Sequence, residues 1–99
     1  MGNPVKIMNV NRGTIDALNE FTRRYGGKNG IVLSDAAKAL RVRDCHGALA
    51  AIRHTADARS SVRVDEVTKA RITMLAKQSG QLVATIATLA VERLFAAME

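Results

Sequence analysis

Arg59-Ser60-Ser61-Val62-Arg63-Val64 decides how this chain is read. Val62 and Val64 alternate with Ser61 and Arg63, the period-2 pattern of a strand with one buried face. The residues after this strand are helical. Asp65 suits an N-cap and Glu66 a first turn. Thr68, Ile72, Leu75, Ala76 and Ser79 then fall on one helical face, and Gly80 is the C-cap. A more apolar helix is predicted from Leu82 to Met98, with Val83, Ile86, Ala87, Ala90, Leu94 and Ala97 inward. Leu82, Leu89, Val91 and Phe95 widen that face beyond what one helix can cover, which predicts a partner surface. A strand and two helices are too little to close a core alone. Pairing of the strand with a second copy is the simplest remedy.

Composition points the same way. The chain has 99 residues and is 47% hydrophobic, so it is globular and short. With no Trp, one Tyr and two Phe, its core is aliphatic. Fifteen basic against nine acidic side chains give a net charge of +6. The excess lies on both sides of residue 58 and is not a tail. A basic small domain suggests an anionic partner, with nucleic acid leading. The single cysteine excludes an internal disulfide and a cysteine-rich zinc site. The N-terminus lacks the apolar run of a signal peptide, and Leu82 to Met98 is too short to span a bilayer. The expected compartment is the cytoplasm, in association with the nucleoid, with no membrane partner.

Towards the N-terminus, Val5 to Val10 could be a strand. Thr14 is a plausible N-cap for a helix to Tyr25, with Ile15, Leu18, Phe21, Thr22 and Tyr25 inward and Gly26-Gly27 as its stop. Lys28-Asn29-Gly30 reads as a turn, and Ile31-Val32-Leu33 as a short strand or a first helical turn. A helix is predicted from Ser34 to about Val42, and another from an Asp44 N-cap to about His54. The polar stretch from Asp57 to Ser60 is a linker candidate. The expected fold is mainly α with one or two short β-strands: a small helical region over 1–58, then a strand-helix-helix unit over 59–99.

The joint spacing of Val62-Arg63-Val64-Asp65, Leu75-Ala76, Gly80, Ile86, Ala90 and Leu94 resembles the ribbon-helix-helix family of DNA-binding proteins, the type of the Arc and methionine repressors. The resemblance covers about 36 residues, from Arg59 to Leu94. It implies an intertwined homodimer whose antiparallel ribbon enters the major groove of double-stranded DNA. Val62, Val64, Ile72, Leu75, Ile86, Leu89, Ala90 and Leu94 would then form the dimer core. Arg59, Ser61 and Arg63 would face the bases, where Arg binds guanine bidentately and Ser can donate or accept. The competing reading is that Arg59 and Arg63 only keep an edge strand soluble. The family also binds a phosphate at the N-terminus of its second helix, here the amides of Leu82, Val83 and Ala84. Leu82 stands where the family carries a capping Ser or Thr, and Lys77 and Gln78 could supply backbone contacts instead.

A shift of 54 positions, from Val10 to Val64, also aligns Thr14 with Thr68, Leu18 with Ile72, Phe21 with Leu75, Gly26 with Gly80, Val32 with Ile86, Ala36 with Ala90 and Leu40 with Leu94. One reading is therefore two tandem copies whose strands pair within one molecule. Val5, Ile7 and Asn9 would be the outer face of the first strand, a poor set for DNA. A second reading makes Ser34 to Val42 and Asp44 to Arg53 a helix-turn-helix, with a faint likeness to phage antirepressor N-terminal domains. A third is a plain helical dimerisation region.

Tests for catalysis fail. Cys45 and His46 are adjacent and point about 100° apart on a helix. His54 lies two turns on, and no acidic or Cys ligand falls at metal spacing. Gly26-Gly-Lys-Asn-Gly30 lacks the phosphate-cradling order. No enzyme, metal or cofactor is expected. The expected function is sequence-specific DNA binding, as a transcriptional repressor or a plasmid or phage accessory factor, acting as a homodimer or higher oligomer. The alternatives are a protein-interaction module with incidental charge, and nonspecific nucleic-acid packaging.

Overall fold

Asp65 caps a helix as its side-chain chemistry requires: its Oδ1 accepts the Thr68 amide at 2.7 Å. That cap marks the junction of strand β2 (Arg59–Asp65) and helix α4 (Glu66–Ser79). Gly80 ends α4 in the left-handed region, φ 71°, and the amides of Gly80 and Gln81 both turn back to the Ala76 carbonyl. Helix α5 (Val83–Met98) comes next. The first half repeats this order, as β1 (Val5–Asn11), α1 (Arg12–Tyr25) and α2 (Asn29–Ala39), with a single turn of helix, α3 (Val42–Cys45), behind it. The computed structural model describes residues 5–46 and 59–98. It is mainly helical, with one two-stranded sheet.

The strands settle what the sequence left open. β2 pairs antiparallel with β1 of the same chain, from Val5 opposite Asp65 to Asn11 opposite Arg59. Met8 lies opposite Val62, its own counterpart in the 54-residue shift. Every pair in the register maps onto another pair under that shift, so a local two-fold axis passes between Met8 and Val62. The helices obey it too. Arg12–Tyr25 becomes Glu66–Ser79, and α2 and α5 begin at the equivalent positions Asn29 and Val83. The ribbon is thus completed by the chain itself.

One buried cluster draws on both halves. Met8, Val10, Val62 and Val64 cover it from the sheet. Leu18 and Phe21 enter from α1, Val32, Leu33, Ala36 and Ala37 from α2, Ile72 and Leu75 from α4, and Ile86, Ala87, Leu89, Ala90 and Val91 from α5. Seven of the eight predicted dimer-core residues are buried inside this single chain, and Leu94 is half-buried against the cluster. Leu89 and Val91, two of the residues that widen α5, are both buried. Leu89, Val91 and Phe95 pack into or against the cluster that the first half of the same chain shares, while Leu82 stays exposed. Phe21 meets Phe95 edge-on, centroids 5.1 Å apart, joining α1 to α5.

Two polar contacts also tie the halves together. Thr88 spends its hydroxyl proton on the Ala84 carbonyl at 2.8 Å. Thr14 must therefore donate in the buried 2.6 Å contact between the Thr14 and Thr88 hydroxyls. Arg71, on α4, donates from Nε to the Ala37 carbonyl and from Nη2 to the Leu40 carbonyl, both at 2.7 Å. A cation on the last carbonyls of α2 satisfies orphan acceptors and meets the negative end of the helix dipole. Arg71→Ala is expected to cost about 1.5–3 kcal/mol, the range for hydrogen bonds made by a charged group, read as a lower midpoint in urea unfolding.

Several expectations need correction. Thr14 is not an N-cap. α1 begins at Arg12, and Thr14 is buried within its first turn. Tyr25 is exposed, not inward. Lys28-Asn29-Gly30 is not a turn, because α2 starts at Asn29, absorbs Ile31–Leu33 and ends at Ala39 rather than Val42. Asp44 lies inside α3, where its carboxylate accepts the Arg41 amide at 3.0 Å. The predicted helix to His54, and most of the would-be recognition helix, lie outside the described residues. Ala97 is exposed.

Candidate nucleic-acid interface

Alternation gives the ribbon two faces. Met8, Val10, Val62 and Val64 point into the core, so Ile7, Asn9, Ser61 and Arg63 point outward and are exposed. Across the strands Ile7 is opposite Arg63, and Asn9 is opposite Ser61. Two of the three predicted base-contacting residues, Ser61 and Arg63, share this face. Arg59 opens β2 opposite Asn11, and its side chain lies outside what is described. Arg63 makes no ion pair among the described residues, so its guanidinium is available to a ligand.

The flank of the ribbon is set by one glycine. A Cβ on Gly30 would collide with the Arg63 carbonyl oxygen and lie 3.3 Å from its carbon. Only glycine lets the first turn of α2 lie this close to β2. A groove results between Lys28, Asn29, Gly30 and Ile31 on one side and Ser61 to Asp65 on the other. Lys28 is the N-cap residue of α2, and no side chain caps that helix. The first-turn amides and the Lys28 ammonium therefore sit at the positive end of the helix dipole, beside the strand that carries Arg63.

A second basic surface lies along α4, where Lys6, Lys69 and Lys77 surround a shallow depression with Glu66, Thr73 and Met74. Of the predicted phosphate contacts, Lys77 belongs to this surface and Gln78 is exposed beside it in sequence. Leu82, 73% exposed, and the half-buried Val83 lie at the start of α5. The 54-residue shift pairs Leu82 with Lys28. The equivalent position in the first half thus carries the charge that Leu82 lacks. Lys6, Lys28 and Lys69 were missed as candidates, although that shift pointed to Lys28.

Several of the described arginines are ion-paired. Arg12 pairs with Asp16 at 3.2 Å, Arg24 with Glu20 at 2.8 Å, and Arg93 with Asp44 at 3.9 Å. Arg23 also donates to Glu20, and these hydrogen bonds, that of Arg23 first, hold the Glu20 carboxyl below its ordinary pKa. Arg63 and the lysines beside it are thus solvent-facing cations on and around the ribbon, the first suited to bases and the others to phosphates.

Among the described residues, no metal-ligating cluster forms around Cys45. Its thiol is buried and contacts the Arg41 carbonyl at 3.4 Å, and burial pushes its pKa up, away from the reactive thiolate. His46 is exposed, His54 lies outside the described residues, and no group of three metal-ligating side chains occurs among the described residues. No single described helix is long and apolar enough to cross a membrane. No family model, curated protein or solved structure matches the chain.

Proposed function

We propose that this chain is a sequence-specific, non-enzymatic double-stranded DNA-binding protein of the ribbon-helix-helix type, in which one chain supplies both strands of the reading ribbon. The observation that carries the proposal is the outer face of β1–β2, where Ser61 and Arg63 stand exposed beside Ile7 and Asn9 on a rigidly backed ribbon. A two-stranded ribbon fits the major groove, which is about 12 Å wide. Arg63 binds guanine O6 and N7, and Ser61 a neighbouring base edge. Lys28 with the α2 amides, and Lys6, Lys69 and Lys77, take the phosphates on either side. Occupying an operator in this way suits a transcriptional repressor or a plasmid or phage accessory factor working on the nucleoid. A second chain, as a homodimer or higher oligomer on DNA, adds a second ribbon rather than completing the first.

The test is a binding titration on specific and random duplexes across a salt series. Arg63→Ala should weaken specific binding by about 5- to 150-fold, the worth of one bidentate base contact, and leave random-duplex binding nearly unchanged. Equal loss on both would reduce Arg63 to a phosphate contact. Affinity that does not fall steeply with salt would remove the DNA reading altogether.

A further inference from the structure

We infer that the DNA site is non-palindromic, with a guanine read by Arg63 on the side of the axis it shares with Ile7, and an adenine read by Asn9 on the side it shares with Ser61. The inference rests on the proposed DNA binding and deepens it. A ribbon built from two identical strands presents the same side chains on both sides of its two-fold axis, and so reads a palindrome. Here the backbone keeps the axis, through Met8 and Val62, and the side chains break it. The axis relates Asn9 to Arg63 and Ile7 to Ser61. All four are exposed on the outer face, and neither related pair is chemically alike.

Each substitution changes the base that fits. Arg63 presents a planar fork of donors only, which matches the two acceptors of guanine, O6 and N7. Asn9, at the related position, presents one donor and one acceptor side, which match adenine N7 and N6. Ser61 can hydrogen-bond a base edge. Ile7 at the related position cannot, and its 59% exposed aliphatic side chain is suited to the thymine methyl group. A G·C pair read on one side of the axis is therefore replaced by an A·T pair at the symmetry-related place on the other.

The flanks differ in the same sense. Lys28 precedes α2 where Leu82 precedes α5. The groove between α2 and β2 carries an ammonium at its rim, and the equivalent residue at the start of α5 is apolar. The phosphate at the start of α2, beside Arg63, is thus held by the Lys28 charge as well as by helix amides, and the equivalent phosphate at the start of α5 lacks that ammonium. The complex has a direction on the duplex.

Selection of bound duplexes from a randomised pool, with the full chain at moderate salt, tests this. The expected consensus lacks dyad symmetry, with a guanine on one side of the axis and an adenine at the symmetry-related place on the other. On that consensus, Arg63→Ala should erase discrimination at the guanine position only, and Asn9→Ala at the adenine position only, each losing about 5- to 150-fold against the intact site. Both positions are exposed, so circular dichroism of the variants should match the parent. A palindromic consensus, or relaxation of the same half by both variants, overturns the inference and leaves the DNA-binding reading standing. Failure to enrich any sequence overturns both.

Discussion

Gly30→Ala is expected to lower the thermal midpoint by on the order of 10 °C or more. The added methyl would meet the Arg63 carbonyl oxygen, which is backbone and has no rotamer to escape into. Overpacking of this kind costs about 1–3 kcal/mol even where side chains can yield. In a domain of this size each kcal/mol moves the midpoint by about 4–8 °C. The loss must come from displacement of α2 away from β2, because Gly30 lies in ordinary helical backbone and its replacement relieves no strain. The same displacement moves the start of α2 and Lys28 off the flank of the ribbon. DNA affinity of the folded variant should therefore fall as well, at temperatures where circular dichroism still reports full helix content. A midpoint within a degree or two of the parent would mean that α2 does not lie where it is described.

Leu18→Ala and Ile72→Ala should each cost about 2–5 kcal/mol, the range for removing a buried aliphatic side chain. Both side chains are fully buried, and the 54-residue shift makes them equivalent. One lies in each half of the chain, yet both contribute to a single cluster. Each variant should therefore unfold in one transition, shifted as a whole, whether followed by calorimetry or by urea titration. Because the ribbon closes within the chain, the midpoint should also be independent of protein concentration, as it would not be for an obligate dimer. Two transitions, with only one of them moved by each substitution, would mean that the halves fold separately.

The second half of the fold was legible because its signals are local. Asp65 bonds an amide three residues on, Gly80 takes up a left-handed turn, and Val62 and Val64 alternate with outward residues. The start of α2 was not legible, because Lys28-Asn29-Gly30 has the composition of a turn. Its glycine serves an approach to a strand more than thirty positions away, and no window of sequence contains that fact. Arg71 is similar, since its acceptors lie 31 to 34 positions away. The partner of β2 was only half visible. Gly26 with Gly80 and Thr14 with Thr68 hinted at a second copy, but the identity of a paired strand depends on register, which is set by tertiary packing. The width of α5 pointed to a partner surface, and for Leu89, Val91 and Phe95 the first half of the same chain takes part in covering it, whereas Leu82 remains exposed. Alternation alone placed Ser61 and Arg63 on the outward face of β2, whereas their base-reading role rested on the family resemblance as well. Lys28 was overlooked because Gly26 to Gly30 has the composition of a loop, which hides the helix start that Lys28 precedes.

A disulfide across the ribbon reports whether one chain forms both of its strands. Asn9 and Ser61 are directly opposite and exposed. Opposed residues of an antiparallel pair have Cα atoms about 4.5–5.5 Å apart, within disulfide reach. Asn9→Cys with Ser61→Cys, in a chain whose only other cysteine is removed by Cys45→Ser, should oxidise to a cross-linked monomer, seen as a loss of two hydrogen masses with no doubling of the chain mass. A covalent dimer as the main product would place the partner strand in another molecule and contradict the account.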